Sequence, residues 1–328
     1  MYEKSFKGLK VLITGGLGFI GSNLAYRLVE LGSQVTLIDS LIPEYGGNLF
    51  NIHNLENLVR VNISDVRDEH SINCLIKDNH LLFNLAGQTS HMDSMSFPQI
   101  DLEINSRSQL SILEACRKFN PEIKVVFAST RQIYGRPEYL PVNEMHPLSP
   151  VDVNGINKMA GERYHLLYND VYGIKTCVLR LTNTYGPRMR IKDARQTFFG
   201  IWLRQLLENK PFQVWGGEQL RDFTFVDDAL EALLLCASEE KANGCVFNIG
   251  GDPVISLKNL ADMLTIIYGG GSYELKEFPS DRKKIDIGDY YSDYTLIRDT
   301  LGWQPRVSLE QGIYRTLEYF RQNLNHYL

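Results

Sequence analysis

Leu9-Lys10-Val11-Leu12-Ile13-Thr14-Gly15-Gly16-Leu17-Gly18-Phe19-Ile20-Gly21 opens the chain's organising unit, which ends at Asp39. Leu9–Thr14 is an apolar run with strand character. A glycine cluster follows, and then Ile20, Leu24 and Leu28 recur at helical spacing. Gly32 stops the helix, and Gln34–Asp39 reads as a second strand ending on an acid. The glycines can be spaced as G-x-G-x-x-G (16, 18, 21) or as G-x-x-G-x-x-G (15, 18, 21). Alone, either pattern is weak, since loops often use glycine to reach positive φ. With the strand before, the helix after and the acid beyond, the stretch reads as a βαβ unit that cradles a dinucleotide pyrophosphate at a helix N-terminus. Asp39 would accept from the adenosine ribose hydroxyls and repel a 2′-phosphate, which favours NAD over NADP.

Working outward, Leu58–Ile63 reads as a third strand, followed by Ser64-Asp65-Val66-Arg67-Asp68. Asp65 could take the adenine amino group with Val66 against the ring, while Asp65 or Asp68 could instead cap the next helix. Leu81–Leu85 is a fourth strand running into Asn84-Leu85-Ala86-Gly87-Gln88, and Ile123–Ala128 a fifth running into Ser129-Thr130. Lys175–Arg180 is a sixth, and long helices are expected over Asp101–Phe119 and Val153–Val171. Strands alternating with helices predict an α/β fold with a doubly wound parallel sheet. His91 stands alone after the fourth strand, and such a histidine is more often solvated or structural than catalytic.

The bulk properties narrow the class. The 328 residues suffice for one large or two ordinary domains, and the net charge of −5 argues against general nucleic-acid binding. Five scattered cysteines show no metal spacing and read as free thiols in a reducing compartment. The N-terminus lacks a signal-peptide core, and no apolar run reaches membrane-spanning length, so a cytoplasmic protein without a resident metal is expected. Arg188–Arg195 is a cationic stretch that reads as a solvated face or as a guide for an anionic ligand.

These motifs resemble the extended short-chain dehydrogenase/reductases that act on nucleotide-activated sugars, such as the UDP-galactose 4-epimerases, 4,6-dehydratases and UDP-glucuronate decarboxylases. The resemblance rests on Thr14–Gly21, Asp39, Asp65-Val66, Asn84-Leu85-Ala86, Ser129-Thr130, Tyr134-Gly135, Lys158, Arg180, Asn183–Pro187, Arg221-Asp222-Phe223 and Leu301–Pro305. It implies a Rossmann-type NAD domain over residues 1–187, with 223–250 returning to it. A smaller mixed α/β substrate domain would take 188–222 and 251–328. The implied NAD site is Gly15, Gly18, Phe19, Ile20, Asp39, Asp65, Val66, Leu85, Ala86, Asn105 and Lys158. The implied nucleoside diphosphate sugar site is Ser94, Thr130, Asn183, Arg221 and Arg282, with Trp215 beside the base or simply in the core. A homodimer through the two long helices is also implied.

One position departs from the family. Its catalytic group is a Ser/Thr with Tyr-x-x-x-Lys; Thr130 and Lys158 match, but Asn154 stands where the tyrosine belongs. An amide is no base near neutral pH, and losing a positioned acid–base group costs ~10²–10⁴ in rate. Either the chain binds without turnover, or the proton is rerouted through water, Lys158, His91 or Tyr185, with Asn154 still able to donate to a developing oxyanion. Survival of Thr130, Lys158, Asn183 and Arg221 argues against decay. Dehydratases carry Asp-Glu after the Thr and decarboxylases a Glu at the second position, where this chain has Arg131-Gln132. The expectation is an NAD-dependent epimerase acting through a transient 4-keto sugar. The alternatives are a non-catalytic binding relative, or a nucleotide-sugar dehydrogenase or dehydratase with a rerouted proton path.

Overall fold

In a computed structural model, which describes residues 2–195 and 197–328 but not the side chains of residues 2, 3, 43, 281 and 282, the glycine-rich unit contributes two adjacent strands to a seven-stranded parallel sheet. Strands β1 (Lys10–Thr14), β2 (Gln34–Asp39), β3 (Val59–Ile63), β4 (Leu81–Asn84), β5 (Lys124–Thr130) and β6 (Thr176–Leu181) lie in the order 3-2-1-4-5-6. Val246–Asn248 adds a seventh strand beside β6, pairing Phe247 with Leu179. Six strands were expected here; this one is only three residues long, too short to show a period. Val11, Leu12, Ile13, Leu82, Phe83, Val125, Val126 and Phe127 are buried to within 1%. Such continuous apolar runs are what a parallel sheet covered on both faces requires.

The order reverses between β1 and β4, whose registers align Thr14 with Asn84. A crevice forms at such a switch point, outside the carboxyl ends of the strands. Thr14 ties it together: its hydroxyl donates to Asn84 Oδ1 at 2.9 Å and accepts from the Leu85 and Ala86 N–H groups at 3.0 and 3.1 Å.

Helices α1 (Phe19–Glu30), α2 (Glu69–Ile76), α3 (His91–Ser96), α4 (Pro98–Leu102), α5 (Ser108–Phe119) and α6 (Val153–Tyr172) cover this half. The expected single helix over Asp101–Phe119 is really α4, a π-helical turn at Glu103–Arg107, and α5. The wide turn is made possible by Gly161 of α6, where a Cβ would stand 2.9 Å from the Asn105 carbonyl oxygen. The close approach carries Asn105 toward the crevice, and no spacing rule would have shown it.

Beyond β6 the chain builds the other wall. Asn183–Tyr185 pairs in parallel with Phe223–Phe225, and Leu220–Arg221 runs antiparallel to Ile255–Ser256. Phe212–Trp215 pairs with Tyr273–Lys276. Phe198–Leu207, Leu257–Tyr268 and Leu309–Asn323 pack over these strands. No helix among the described residues is long and apolar enough to cross a membrane.

Candidate functional site

The crevice between the sheet and these later elements is one cleft of about 840 Å³. Its first end is the glycine cradle. Gly15 has φ +69°, a left-handed conformation a side chain would strain. A Cβ on Gly21 would sit 2.2 Å from the Gly15 carbonyl oxygen, so helix α1 can start this close to β1 only with glycine there. Gly16 faces Leu37 too closely for a side chain, so both glycine spacings in the motif have a physical reason. Phe19 and Ile20 present the first N–H groups of α1 to the cleft.

Asp39 ends β2 in the cleft wall, with Oδ2 accepting from Leu17 N–H at 3.0 Å and Oδ1 from Leu41 N–H at 2.9 Å. Burial pushes its pKa up, and these backbone donors oppose the rise. Each oxygen keeps a lone pair for a ribose hydroxyl. Asp65 and Val66 also line the cleft. A fork from Arg67, at 2.9 and 2.7 Å, holds the Asp65 carboxyl below its ordinary range. Asp68 takes the capping job at α2, accepting from His70 N–H at 3.1 Å. Of the two carboxylates, Asp68 is thus the cap, and Asp65 is the one that faces the cleft.

Leu85 and Ala86 form the floor. At Gly87 a Cβ would lie 2.9 Å from both Asn105 Oδ1 and Lys158 Nζ. Asn105 Oδ1 is buried without a hydrogen-bond partner among the described residues. Lys158 donates to the Ala128 carbonyl at 3.1 Å. Burial lowers its pKa to about 8, with Asp101 pulling the other way. A glycine gap between an ammonium donor and an orphaned acceptor fits a pair of ribose hydroxyls. The cradle, Asp39, Asp65 and this gap together fit a dinucleotide laid along the strand ends.

Thr130 ends β5 with its oxygen accepting from Gln132 N–H at 3.2 Å, which leaves the hydroxyl hydrogen for a ligand. Asn154 lines the same part of the cleft but is only 3% exposed. Its amide nitrogen donates to the Gln88 carbonyl at 2.7 Å and to Asp101 Oδ2 at 3.1 Å. A backbone carbonyl can only accept, so the orientation of the amide is settled. The expectation that Asn154 donates to an oxyanion is therefore corrected: both of its hydrogens are committed inward.

Two rerouting candidates separate here. Tyr185 lies in the core rather than on the cleft, 1% exposed, with its hydroxyl donating to the Leu309 carbonyl at 3.2 Å. Burial raises its pKa far out of reach, and the Tyr185 expectation falls. Tyr134 is equally unfit: it is buried beside Arg180, with its pKa pushed up to about 12. His91 does line the cleft, at the start of α3 rather than on a loop. Its Nδ1 is 2.9 Å from Asp152 Oδ2. The ring N–H is not aligned on that line, so the contact is electrostatic more than a directed hydrogen bond. Asp152 also caps α6 through Gly155 N–H at 2.7 Å and accepts from Gln132 Nε2 at 2.8 Å.

At the far end Arg131, Asn183 and Arg221 line the cleft together, Arg131 donating to Asn183 Oδ1 at 2.9 Å. Arg221 is anchored by the Leu220 carbonyl at 2.8 Å and by the Gly288 carbonyl, with Asp286 Oδ1 at 3.5 Å. Burial, then the charge of Arg131, lowers its pKa to about 10. Asp286 and Asp222 lie near both guanidiniums, and the two positive charges on one wall of the cleft suit an anionic ligand. Trp215 is in the wall. Ser94 is not: it is fully buried, its hydroxyl donating to the His91 carbonyl at 2.7 Å and accepting from Asn154 N–H at 3.2 Å. It braces the site from behind, which corrects its reading as a substrate contact. Arg282 lies outside the residues whose side chains are described. The cationic stretch is largely paired: Arg188 with Asn23, Arg190 with Asp193, and Arg195 with Asp93 across the cleft mouth.

Sequence reasoning missed Asp101, which is fully buried and accepts from Asn105, Asn154 and Asn157. It also missed Asp152, although an Asp just before a helical run is a capping signal that would have found it.

A family model described as the NAD dependent epimerase/dehydratase family matches residues 11–250. A UDP-glucose 4-epimerase of Mycolicibacterium smegmatis is 31% identical over 318 residues, covering 95% of this chain and 99% of that protein. The structure of a Thermotoga maritima UDP-glucose 4-epimerase with UDP-glucose superposes with a TM-score of 0.87 at 31% identity, covering 96% of this chain and all of that one. A Bacillus cereus UDP-glucuronic acid 4-epimerase, solved with UDP-glucuronic acid and NAD, gives a TM-score of 0.85 at 26% identity, with 96% and 100% covered.

Proposed function

We propose a function from one premise: the chain belongs to the NAD dependent epimerase/dehydratase family. NAD is its cofactor, and when bound it supplies the hydride acceptor and donor. We infer that the reaction is epimerisation at a carbon of a nucleoside diphosphate sugar through a transient 4-keto form. The observation that carries this reading is at Gln132, next to Thr130. Its amide donates to Asp152 at 2.8 Å and supplies no acid to a departing 6-hydroxyl. Elimination needs such an acid; inversion through a ketone does not.

The roles of the chain's own residues follow. Gly15, Gly18, Phe19 and Ile20 hold the pyrophosphate; Asp39 and Asp65 hold the adenosine end. Asn105 and Lys158 hold the nicotinamide ribose. Thr130 donates to the sugar oxygen whose charge grows as the ketone reverts. Asn183, Arg131 and Arg221 take the nucleoside diphosphate, since forked guanidinium contacts suit phosphate. The earlier division into a 1–187 cofactor domain and a substrate domain is part of the same proposal. So are a homodimer through α5 and α6 and a cytoplasmic setting.

The test incubates protein, NAD and a panel of nucleoside diphosphate sugars, followed by NADH absorbance and product NMR. Epimer formation, lost in Thr130→Val, supports the reading. Binding without NADH or product supports a non-catalytic relative. A dehydrated or oxidised product replaces epimerisation with the corresponding reaction.

A further inference from the structure

The cleft holds a histidine–carboxylate pair beside the position where the tyrosine is missing, and nothing in the cofactor or diphosphate sites uses it. We propose that His91, held by Asp152, is the acid–base group of this active site. This rests on the sugar-oxidation reading above.

Four observations converge. First, Asp152 is two residues before Asn154 on the first turn of α6, and its side chain has no exposed surface. A carboxylate without water contact needs partners, and its partners are Gly155 N–H, the Gln132 amide and His91. Second, Ser94 bridges the His91 carbonyl and the Asn154 N–H, so the histidine backbone is one hydroxyl away from residue 154. Third, the ring's Nδ1 is sealed against Asp152, yet the side chain is about a third exposed and lines the cleft. The nitrogen left for a ligand is Nε2. Fourth, two of the other side chains near residue 154 are poor proton acceptors: Asn154 is an amide, and Tyr134 is buried with its pKa pushed up to about 12. Lys158 would be such an acceptor only in its neutral form, and its N–H is directed to the Ala128 carbonyl.

The charged groups around His91 are accounted for. Asp93 on the same helix is paired with Arg195 at 3.2 Å, and Arg195 with Asp193. Asp152 is the carboxylate in direct contact. Asp152 Oδ2, 2.9 Å from Nδ1, is placed to orient the ring once that nitrogen turns an N–H onto the line between them, as a carboxylate orients a histidine base. Gln132 then has a purpose: its amide fixes the Asp152 oxygen that faces the ring.

The proton balance is simple. As the hydrogen on the sugar carbon leaves with its electron pair for bound NAD, the hydroxyl proton passes to Nε2 and leaves a ketone and an imidazolium. When the hydride returns to the opposite face, the imidazolium gives the same proton back to the oxygen. No net proton, electron or leaving group is released. Asp152 touches no reacting atom and is a positioning residue.

The test uses the full chain with NAD and the sugar panel in four forms: wild type, His91→Gln, His91→Ala and His91→Gln/Asn154→Tyr. Three readouts are taken: product formation, sugar-nucleotide affinity by calorimetry, and the side-chain nitrogen NMR signals of histidine with and without sugar nucleotide. The expected result is a loss of ~10²–10⁴ in turnover for both single variants with affinity within threefold. Added imidazole should rescue His91→Ala, and the Tyr should restore turnover in the double variant. In the wild type, the His91 Nε2 signal should move when the sugar binds. Rescue and the nitrogen shift are not expected of a histidine that merely braces α3. If the wild type turns over and His91→Gln keeps it within threefold, or if the Nε2 signal is indifferent to sugar, the His91 assignment is overturned while the sugar chemistry stands. If the wild type yields neither NADH nor product from any sugar, both fall together.

Discussion

The side-chain nitrogen of Asn154 lies 3.1 Å from Oδ2 of Asp101, a carboxylate with no solvent exposure. Asn157 donates to the other oxygen of Asp101 at 2.7 Å and Asn105 to Oδ2 at 3.0 Å. Three amides thus surround one buried acid directly beneath the cleft. In this setting Asn154 is a structural donor, and its replacement should be read first as a stability experiment. Asn154→Ala removes one donor of three and should cost about 1–3 kcal/mol with little pH dependence. Asn154→Asp sets a second carboxyl against a buried one. Its pKa must rise on folding, so the penalty grows as pH climbs above the unfolded value near ~4 and reaches on the order of 3 kcal/mol at neutrality. Urea unfolding of both variants at about pH 4 and pH 7 separates them. Equal losses at neutral pH would show that Asp101 does not feel residue 154.

Lys158 gives a pH dependence of the opposite sense. Burial lowers its pKa to about 8 in the folded chain, against an ordinary 10.5. Above pH 8 the folded protein sheds this proton before the unfolded chain does. The unfolded state then binds more protons, and stability rises with pH through this window. From about pH 7.5 to 9.5 the gain attributable to Lys158 is about 2 kcal/mol. It is the difference between wild type and Lys158→Met in the cofactor-free protein, measured by denaturant unfolding at the two pH values. A flat difference would mean the ammonium is better solvated than its burial indicates.

Much of the fold was legible because parallel strands and their glycine turn are local signals. Gln34–Asp39 lies where its pattern put it, and the strands expected at Leu58–Ile63 and Lys175–Arg180 are displaced by a single residue at most. The residues proposed to hold the cofactor share that locality: Gly15, Asp39 and Asp65 sit at strand ends, where position along the chain fixes position in the cleft. What escaped was non-local. Ser94 faces inward because its hydroxyl meets the N–H of a helix 60 residues later. The Asp152–His91 pair joins two helix starts on different segments. Tyr185 looked available by sequence, yet Phe199, Phe223 and Phe225 close over its ring at 5.2, 6.3 and 5.5 Å and the Leu309 carbonyl takes its hydroxyl.

At the diphosphate end, Arg221 and Arg131 should be separable. Arg221→Ala removes the guanidinium contact to the Gly288 carbonyl and a charge from the wall, while the Leu220 carbonyl keeps the Tyr290 N–H. Affinity for a nucleoside diphosphate sugar should fall at least about tenfold, the cost of one charge-assisted contact. Arg131→Ala should also weaken binding, and it should raise the Arg221 pKa by removing the neighbouring positive charge. Calorimetric titration with the diphosphate and with the corresponding monophosphate distinguishes the two. Unchanged diphosphate affinity in Arg221→Ala removes it from the site.

Quaternary structure can be argued from the outer faces of the helices that carry the site. On α6, Ile156, Leu167 and Val171 are 49%, 51% and 60% exposed. Their separations of eleven and four residues place them on one helical face. Ile100, Leu102, Leu110 and Phe119 are exposed along α4 and α5, which pack beside α6. An apolar strip of this extent is unusual on a monomer and suits a self-complementary two-helix patch about a twofold axis. The inward side of the same helix holds Asn154, Lys158 and Glu162, so pairing α6 with a second copy would also steady the active site. The expected result is a dimer by sedimentation at micromolar concentration. Leu167→Glu together with Ile156→Glu, which places like charges across the axis, should give monomers with an intact fold by circular dichroism. Turnover per chain should fall in step with dissociation. A wild type that sediments as a monomer, or a double glutamate variant that stays dimeric, would place the interface elsewhere.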